Sequence, residues 1–183
     1  VNVNLAHIKY EQKDYAAVIS LLTAVPQALE GREKERMILA ESYFARNEYE
    51  KALVQASAVV SSNPDNVRAI ELGALSAEKA GNLDAATEMY EKFLASPSTE
   101  RRRDYAYHLG ELYEKRGRKQ QAIARYRKNT ATYPDDPRNF EKLGRLYLDA
   151  KDYSSARSIL IEGHEVPGAS KEMSAMLVAA RAH

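Results

Sequence analysis

Histidine is the side chain through which this sequence could most readily bind a metal ion or move a proton. The 183 residues contain four histidines, His7, His108, His164 and His183. No two of them stand at the short spacings that bring metal ligands together on one helix face or in one loop. Cysteine is absent, which excludes disulfide bonds, thiolate metal sites and a cysteine nucleophile. We therefore expect no metal site and no cofactor.

Carboxylate pairs such as Glu111 and Glu114 could in principle perform acid–base chemistry. Exposed helices, however, normally carry such pairs. The sequence contains no glycine-rich phosphate loop and no HExxH, GxSxG or EF-hand pattern. We therefore predict no catalytic residues and no enzymatic activity.

Basic residues concentrate between positions 101 and 128, where ten lysines and arginines stand against three acids. Such a patch could bind nucleic acid or another acidic polymer. The cations are spread over two predicted helices and a turn without a row of interleaved aromatic residues, which favours a solvated outer face. The candidate patch residues are Arg101, Arg102, Arg103, Arg116, Arg118 and Lys119.

Charged residues make up 29% of the chain, yet the net charge is only +1. The whole molecule therefore has no strong electrostatic preference for nucleic acid or an anionic membrane. No apolar run approaches the ~18 residues of a membrane-spanning helix, so we expect no membrane insertion. The chain begins at Val1 and shows no signal-peptide pattern, which leaves cytoplasmic and bacterial periplasmic locations open.

Residues 105–134 show the clearest helical pattern. Small and apolar residues lie at i, i+3, i+4 and i+7, the face that a helix turns toward a neighbour: Ala106, Leu109, Gly110 and Tyr113. Glycine inside a helix costs about 1 kcal/mol relative to alanine, so Gly110 indicates close approach of a second helix. Gly117 predicts a turn, and Pro134 predicts the end of the second helix.

Near-copies of this helical hairpin recur along the chain. An anchor leucine recurs at intervals of 34, 33, 37, 34 and 34 residues, at Leu5, Leu39, Leu72, Leu109, Leu143 and Leu177. The residue after the anchor is small in five cases of six. Prolines close the second helices at Pro64, Pro97, Pro134 and Pro167. A period of this length is typical of stacked repeats.

This pattern resembles the tetratricopeptide repeat, a 34-residue helix–turn–helix unit marked by leucine, a small residue and tyrosine, then alanine, then proline. The resemblance covers residues 3–170, although the tryptophan common at the head of the family's repeat is absent. It implies an all-α fold, a right-handed superhelical solenoid of antiparallel helix pairs (an α-α superhelix).

The resemblance also implies a domain plan, a single array over residues 1–183. Pro26 is early in the first repeat and is expected to distort its helix pair, and an insertion is expected near residues 99–103. Residues 171–183 are expected to form a terminal helix, or the first helix of a further, truncated repeat in a longer protein. The predicted repeats are about 1–32, 33–65, 66–99, 103–136 and 137–170.

In the family, the first helices line a concave groove that binds a peptide or protein segment. The candidate residues of the first three units are mostly apolar: Tyr10, Met37, Glu41, Phe44, Ile70 and Ala74. Those of the last two units carry mixed charge: Tyr107, Glu111, Glu114, Arg138, Glu141 and Arg145. The alternative is that Met37, Phe44 and Ile70 only pack against adjacent repeats.

The resemblance therefore implies a non-catalytic scaffold that binds another protein or peptide. Chaperone-binding members hold a terminal carboxylate with asparagines, lysines and an arginine, and that clamp is absent here, where the matching positions are Val3, His7, Ile38, Val67 and Glu71. The alternative function is a bacterial envelope module that handles polysaccharide or helps to assemble an outer-membrane or secretion machine, with an anionic polymer as partner. Self-association through residues 171–183 is a third alternative. The absence of cysteine and the alanine-rich repeats favour a bacterial source.

Overall fold

The structure is a computed structural model that describes residues 2–24, 26–96 and 102–182. This part of the chain contains eleven α-helices, a short 3-10 helix at Pro26–Leu29 and no strand. The helices are α1 (Asn2–Glu11), α2 (Tyr15–Thr23), α3 (Glu33–Ala45), α4 (Tyr49–Ser62), α5 (Val67–Lys79), α6 (Leu83–Ala95), α7 (Arg102–Lys115), α8 (Lys119–Thr132), α9 (Pro137–Asp149), α10 (Tyr153–His164) and α11 (Lys171–Arg181).

From α1 to α6 and from α7 to α11, consecutive helices pack against each other in antiparallel pairs, which confirms the predicted all-α solenoid. The chain divides into two compact units, Val1–Ser98 and Thr99–His183. Unit 1 contains α1 to α6, and unit 2 contains α7 to α11. The odd-numbered helices are the predicted first helices of the repeats, and the even-numbered ones are the second helices. The predicted insertion near residues 99–103 lies mostly outside the described residues, as do Pro97 and Arg101.

Each helix pair turns at a residue in the left-handed backbone region. These residues are Lys13, Asn47, Gly81, Gly117 and Lys151, with φ between 59° and 77°. The backbone N–H of the residue that follows each of them donates to a carbonyl five positions earlier, over 2.8 to 2.9 Å. This bond satisfies a carbonyl at the end of the first helix and fixes where the second helix begins. The structure confirms the predicted turn at Gly117.

Short polar side chains cap six of the helices by accepting a hydrogen bond from a backbone N–H of the first turn. This cap satisfies a donor that has no partner within the helix. The capping residues are Asp14, Asn66, Asn82, Asp136, Asp152 and Ser170.

The two helices of a pair approach closely at the small residue after the anchor leucine. A Cβ atom at Gly110 would lie 2.3 Å from Cε1 of Tyr126, and one at Gly144 would lie 2.4 Å from Cδ2 of Leu160. Real Cβ contacts are essentially never this short. The structure therefore confirms the close helix approach that Gly110 predicts.

The anchor leucines do not all lie in the core. Leu39, Leu109 and Leu143 are at most 1% exposed, whereas Leu5 is 40% exposed. Helix α1 packs against α2 and α3 through Ala6, which is fully buried, and these contacts leave Leu5 uncovered. The early Pro26 begins the 3-10 helix, and α2 ends at Thr23.

Helix α11 packs on α9 and α10 and completes the core of unit 2. Met173 and Ala180 are fully buried, and Leu177 is 7% exposed. Val178 points outward and is 68% exposed. The predicted terminal helix is therefore present and docked, with one large apolar side chain, Val178, left exposed.

Candidate interaction surface

Most of the apolar floor predicted for unit 1 is closed. Met37, Ile70 and Ala74 are 7%, 1% and 0% exposed, because they pack between helices. They are core residues that a ligand cannot reach, which corrects their assignment to a groove. Phe44 is half-buried against the core of unit 1, and its ring packs edge-on against Tyr49 with centroids 5.3 Å apart.

Polar side chains join the first helices α1, α3 and α5 within unit 1. The Tyr10 hydroxyl donates to the Glu41 carboxylate, and the Arg68 guanidinium lies 2.5 Å from the same carboxylate. Nε2 of His7 lies 3.5 Å from Glu35. Burial, followed by the hydrogen bond to Glu41, raises the pKa of Tyr10 to about 12. The Tyr10 hydroxyl therefore remains a donor at neutral pH.

The first helices of unit 2 carry a denser polar cluster around Lys142. Its ammonium lies 3.2 Å from Glu111 and 3.3 Å from Glu114, so it joins α9 to α7. Glu114 also accepts a hydrogen bond of 2.5 Å from the hydroxyl of Tyr126, a fully buried residue. Nδ1 of His108 lies 3.4 Å from Glu111.

The protonation states of this cluster follow from burial and from the paired charges. Burial by itself raises the pKa of Glu111, but the hydrogen bond and charge of Lys142, together with hydrogen bonds from His108 and Tyr107, outweigh it, so the net pKa is lowered. Burial and then Glu111 raise the pKa of Tyr107, and burial and then Glu114 raise the pKa of Tyr126. At neutral pH the Glu111 carboxylate is therefore charged and both hydroxyls keep their protons.

Arg138, at the start of α9, links the neighbouring turn to α7. It donates to Asp136 from Nε over 2.8 Å and from Nη2 over 2.7 Å, and to Asp104 over 2.9 Å. Its guanidinium also lies 4.8 Å from the ring centroid of Tyr107, a cation–π contact. The half-buried Tyr107 ring is therefore held beneath an arginine whose other side faces solvent.

A third polar group joins α9 to α11. Nη2 of Arg145 lies 2.8 Å from Glu172 and 3.3 Å from Glu141. The Ser170 hydroxyl, which also caps α11, donates to Glu141 over 2.5 Å. The predicted residues Glu141 and Arg145 thus lie together on the same side of unit 2.

Four of the close pairs between first helices share one register within the repeats. In each pair, the residue two positions after an anchor leucine contacts the next first helix. Sequence reasoning found Glu41, Glu111 and Arg145 but missed their partners. The available signal was opposite charge at positions roughly one repeat apart. The pairs are His7–Glu35, Glu41–Arg68, Glu111–Lys142 and Arg145–Glu172.

The structure divides the predicted basic patch. Arg102 and Arg103 lie at the beginning of α7, whereas Arg116, Arg118 and Lys119 lie beyond its other end. A 14-residue helix separates the two groups by about 20 Å. Arg103 is paired with Asp135 over 2.9 Å and lies 5.6 Å from the ring centroid of Tyr133. The candidate residues therefore do not form one continuous surface.

The family can now be assigned from comparison with known proteins. A family model described as the tetratricopeptide repeat matches residues 71–137 and 113–172. Together these matches span more than half of the 183 residues. The chain belongs to the tetratricopeptide-repeat family, as its sequence pattern predicts.

Several solved structures share this fold. A structure of MamA from AMB-1 is 18% identical, with a TM-score of 0.68 and coverage of 95% of this chain and 94% of that one. YrrB, described as a tetratricopeptide-repeat protein with an unusual peptide-binding site, is 17% identical, with a TM-score of 0.62 and coverage of 87% and 82%. The C-terminal part of a repeat protein from Cytophaga hutchinsonii is 18% identical, with a TM-score of 0.66 and coverage of 98% and 70%. A search of curated proteins finds no significant match.

The fold is one that supports protein-interaction scaffolds, and proteins of this family bind other proteins or peptides. Within residues 2–24, 26–96 and 102–182, every helix is too short or too polar to cross a membrane. In the same ranges, no three acidic or histidine side chains come together in a way that could hold a metal ion.

Proposed function

We propose that this chain is a non-catalytic scaffold that binds a segment of another protein along the first-helix face of unit 2. The observation that carries the proposal is a row of half-exposed, mutually paired charges around an aromatic ring, which runs across α7, α9 and α11. We define the first-helix face of unit 2 as Tyr107, Glu111, Glu114, Arg138, Glu141, Lys142 and Arg145.

The internal ion pairs of this face are weak enough for the charges of a bound segment to replace them. The Arg138, Lys142 and Arg145 side chains are between one quarter and one half exposed. Ion pairs at such exposure contribute only about 0–1 kcal/mol each. Charges of an incoming segment can therefore replace the internal partners at little cost. Because acids and bases alternate here, the best-fitting segment also carries both signs.

Tyr107 is the side chain best placed to anchor that segment. Tyrosine and arginine are enriched among the residues that contribute most to binding, and here they are stacked together as Tyr107 and Arg138. The ring is already ordered by its neighbours, so little rotamer entropy is lost when a ligand covers it. In unit 1, the half-buried Tyr10, Glu41 and Phe44 remain candidates on the same grounds.

A displayed library of random peptides can test this proposal before the natural partner is identified. Peptides selected on the wild-type protein are titrated against Tyr107→Ala and Arg138→Gln. Arg157→Gln, on the exposed side of α10, is the matched charge control. We expect Kd to rise at least about tenfold for each face variant, as for interface anchor residues, and to stay within about twofold for the control.

Circular dichroism establishes that each variant keeps its helical fold. Peptides that bind the face variants and the wild type equally would contradict the proposal. Failure of the library to yield any binder would also contradict it.

A further inference from the structure

Helix α8 carries a concentration of cations that the protein itself does not neutralise. Its sequence, KQQAIARYRKNTAT, contains four basic residues and no acid. Within the described part of the chain, the side chains of Lys119, Arg125, Arg127 and Lys128 make no ion pair or hydrogen bond. By contrast, the cations of the first-helix face of unit 2 are all paired.

The four cations are spread around α8, because successive residues of a helix are about 100° apart, and Lys119 lies opposite Lys128. Arg125 and Lys128 are separated by three positions, so they lie on one face of the helix. With Gln121 and Ala124 they line a shallow cleft of about 280 Å³. Arg127 lines a second cleft, of about 270 Å³, toward α10. Because that cleft also contains Glu162, Arg125 and Lys128 are the stronger pair for an anion.

We infer that the outer face of α8 is a second docking surface, which takes an acidic segment of a partner protein. Like charges at neighbouring helical positions destabilise a helix, and carboxylates from a partner would relieve that repulsion. Arg125 and Lys128 lie about one helical turn apart, which matches two carboxylates at i and i+3 or i+4 of a partner helix. This surface goes beyond the proposed function and does not depend on it, because it lies on a second helix.

The surroundings of α8 favour an acidic protein over nucleic acid. Proteins that bind single strands stack bases on exposed aromatic rings. Tyr113, the aromatic residue that lines the cleft of Arg125 and Lys128, is only 5% exposed, so it offers little ring surface for stacking. An acidic peptide segment therefore fits the Arg125/Lys128 pair better than a single-stranded nucleic acid.

The test titrates a labelled short polyglutamate peptide, and separately an oligothymidylate of equal charge, by fluorescence anisotropy at low ionic strength. The variant Arg125→Glu/Lys128→Glu is compared with Arg157→Glu/Lys171→Glu, which changes the net charge equally at exposed positions. If the charge reversal impairs folding, the neutral variant Arg125→Gln/Lys128→Gln replaces it in the test. Tyr107→Ala separates this surface from the first-helix face.

We expect the wild type to bind polyglutamate more tightly than oligothymidylate. The variant Arg125→Glu/Lys128→Glu should bind the peptide at least about tenfold more weakly than the wild type. The Arg157/Lys171 control and Tyr107→Ala should each change the affinity by less than about twofold. Equal weakening by both reversals, tighter binding of the oligonucleotide, or no peptide binding would overturn the inference. Loss of polyglutamate binding in Tyr107→Ala alone would place the acidic segment on the first-helix face instead. That result would overturn the inference about α8 and leave the proposed function intact.

Discussion

Gly110 and Tyr126 show how one residue sets the distance between two helices. The Tyr126 ring is fully buried, and its hydroxyl is tied to Glu114, so the ring cannot retreat from a new neighbour. At the repeat-equivalent Gly73, an added Cβ would lie 3.4 Å from Sδ of Met89, the end of a flexible side chain. The equivalent glycine positions of these two repeats should therefore differ in how well they tolerate an alanine side chain.

We expect Gly110→Ala to destabilise the protein by about 1–3 kcal/mol, because the new methyl group overpacks against a fixed ring. Gly73→Ala, the matched control, should be neutral or stabilising by up to about 1 kcal/mol, because alanine favours the helix and Met89 can move. Urea denaturation of both variants measures the difference. A Gly110→Ala variant as stable as Gly73→Ala would show that the ring is free to shift.

The Asp136 carboxylate should make the stability of unit 2 depend on pH in acid. It is 3% exposed, caps α9 and accepts hydrogen bonds from Arg138. Burial raises its pKa, but Arg138 outweighs burial, so the pKa lies below its ordinary value of 3.8. Its contribution to stability is therefore complete above that value and is lost as the pH falls through the lower, folded-state pKa.

Asp136→Asn retains a good helix cap but has no charge to lose. We expect it to be about 1–2 kcal/mol less stable at neutral pH, since Arg138 loses its charged partner. Its stability should then fall less steeply than that of the wild type in acid. Unfolding free energies across a pH series test this, with the exposed Asp135→Asn as control. Parallel profiles for the wild type and Asp136→Asn would contradict the assignment.

At the scale of elements, the turns show what the sequence could and could not reveal. Gly117 is a visible signal, because glycine readily adopts positive φ. Lys13 and Lys151 occupy the equivalent turn positions without such a signal, with φ of 59° for both. There the repeat geometry overrides the preference of the residue itself. The turn positions therefore follow from the period, and residue type alone would have missed them.

Substitutions of the left-handed turn residue should change the stability of unit 2 in opposite directions at two positions. Lys151→Gly should stabilise unit 2 by about 0.5–1 kcal/mol, because glycine removes the Cβ strain of positive φ. Gly117→Ala should destabilise it by about 1 kcal/mol for the same reason. Thermal denaturation compares the two. Destabilisation by Lys151→Gly as large as that by Gly117→Ala would show that these turns carry no such strain.

The interaction surface could be predicted only in part. Tyr107, Glu111 and Arg138 follow from rotation around a helix, which depends on local spacing. Met37 and Ile70 were misassigned, because burial depends on neighbouring helices rather than on the helix that carries a residue. The pairing of Glu111 with Lys142 was missed for a related reason, since it depends on the register between repeats.

For the whole molecule, the period of the anchor leucine was sufficient to predict the family and the all-α solenoid. Each repeat contacts mainly its neighbours, so the fold follows from a local pattern repeated many times. The bacterial source, the single continuous array and the chain's place in a longer protein remain predictions. Partner choice depends on side chains that vary between repeats.

Chemical-shift mapping on isotope-labelled protein is the most direct test of the proposed binding face. A library-selected peptide is titrated into the 20.5 kDa protein, and the amide signals are followed. We expect the largest changes to cluster on α7, α9 and α11, around Tyr107, Arg138 and Arg145. Changes confined to the second helices α8 and α10 would contradict it.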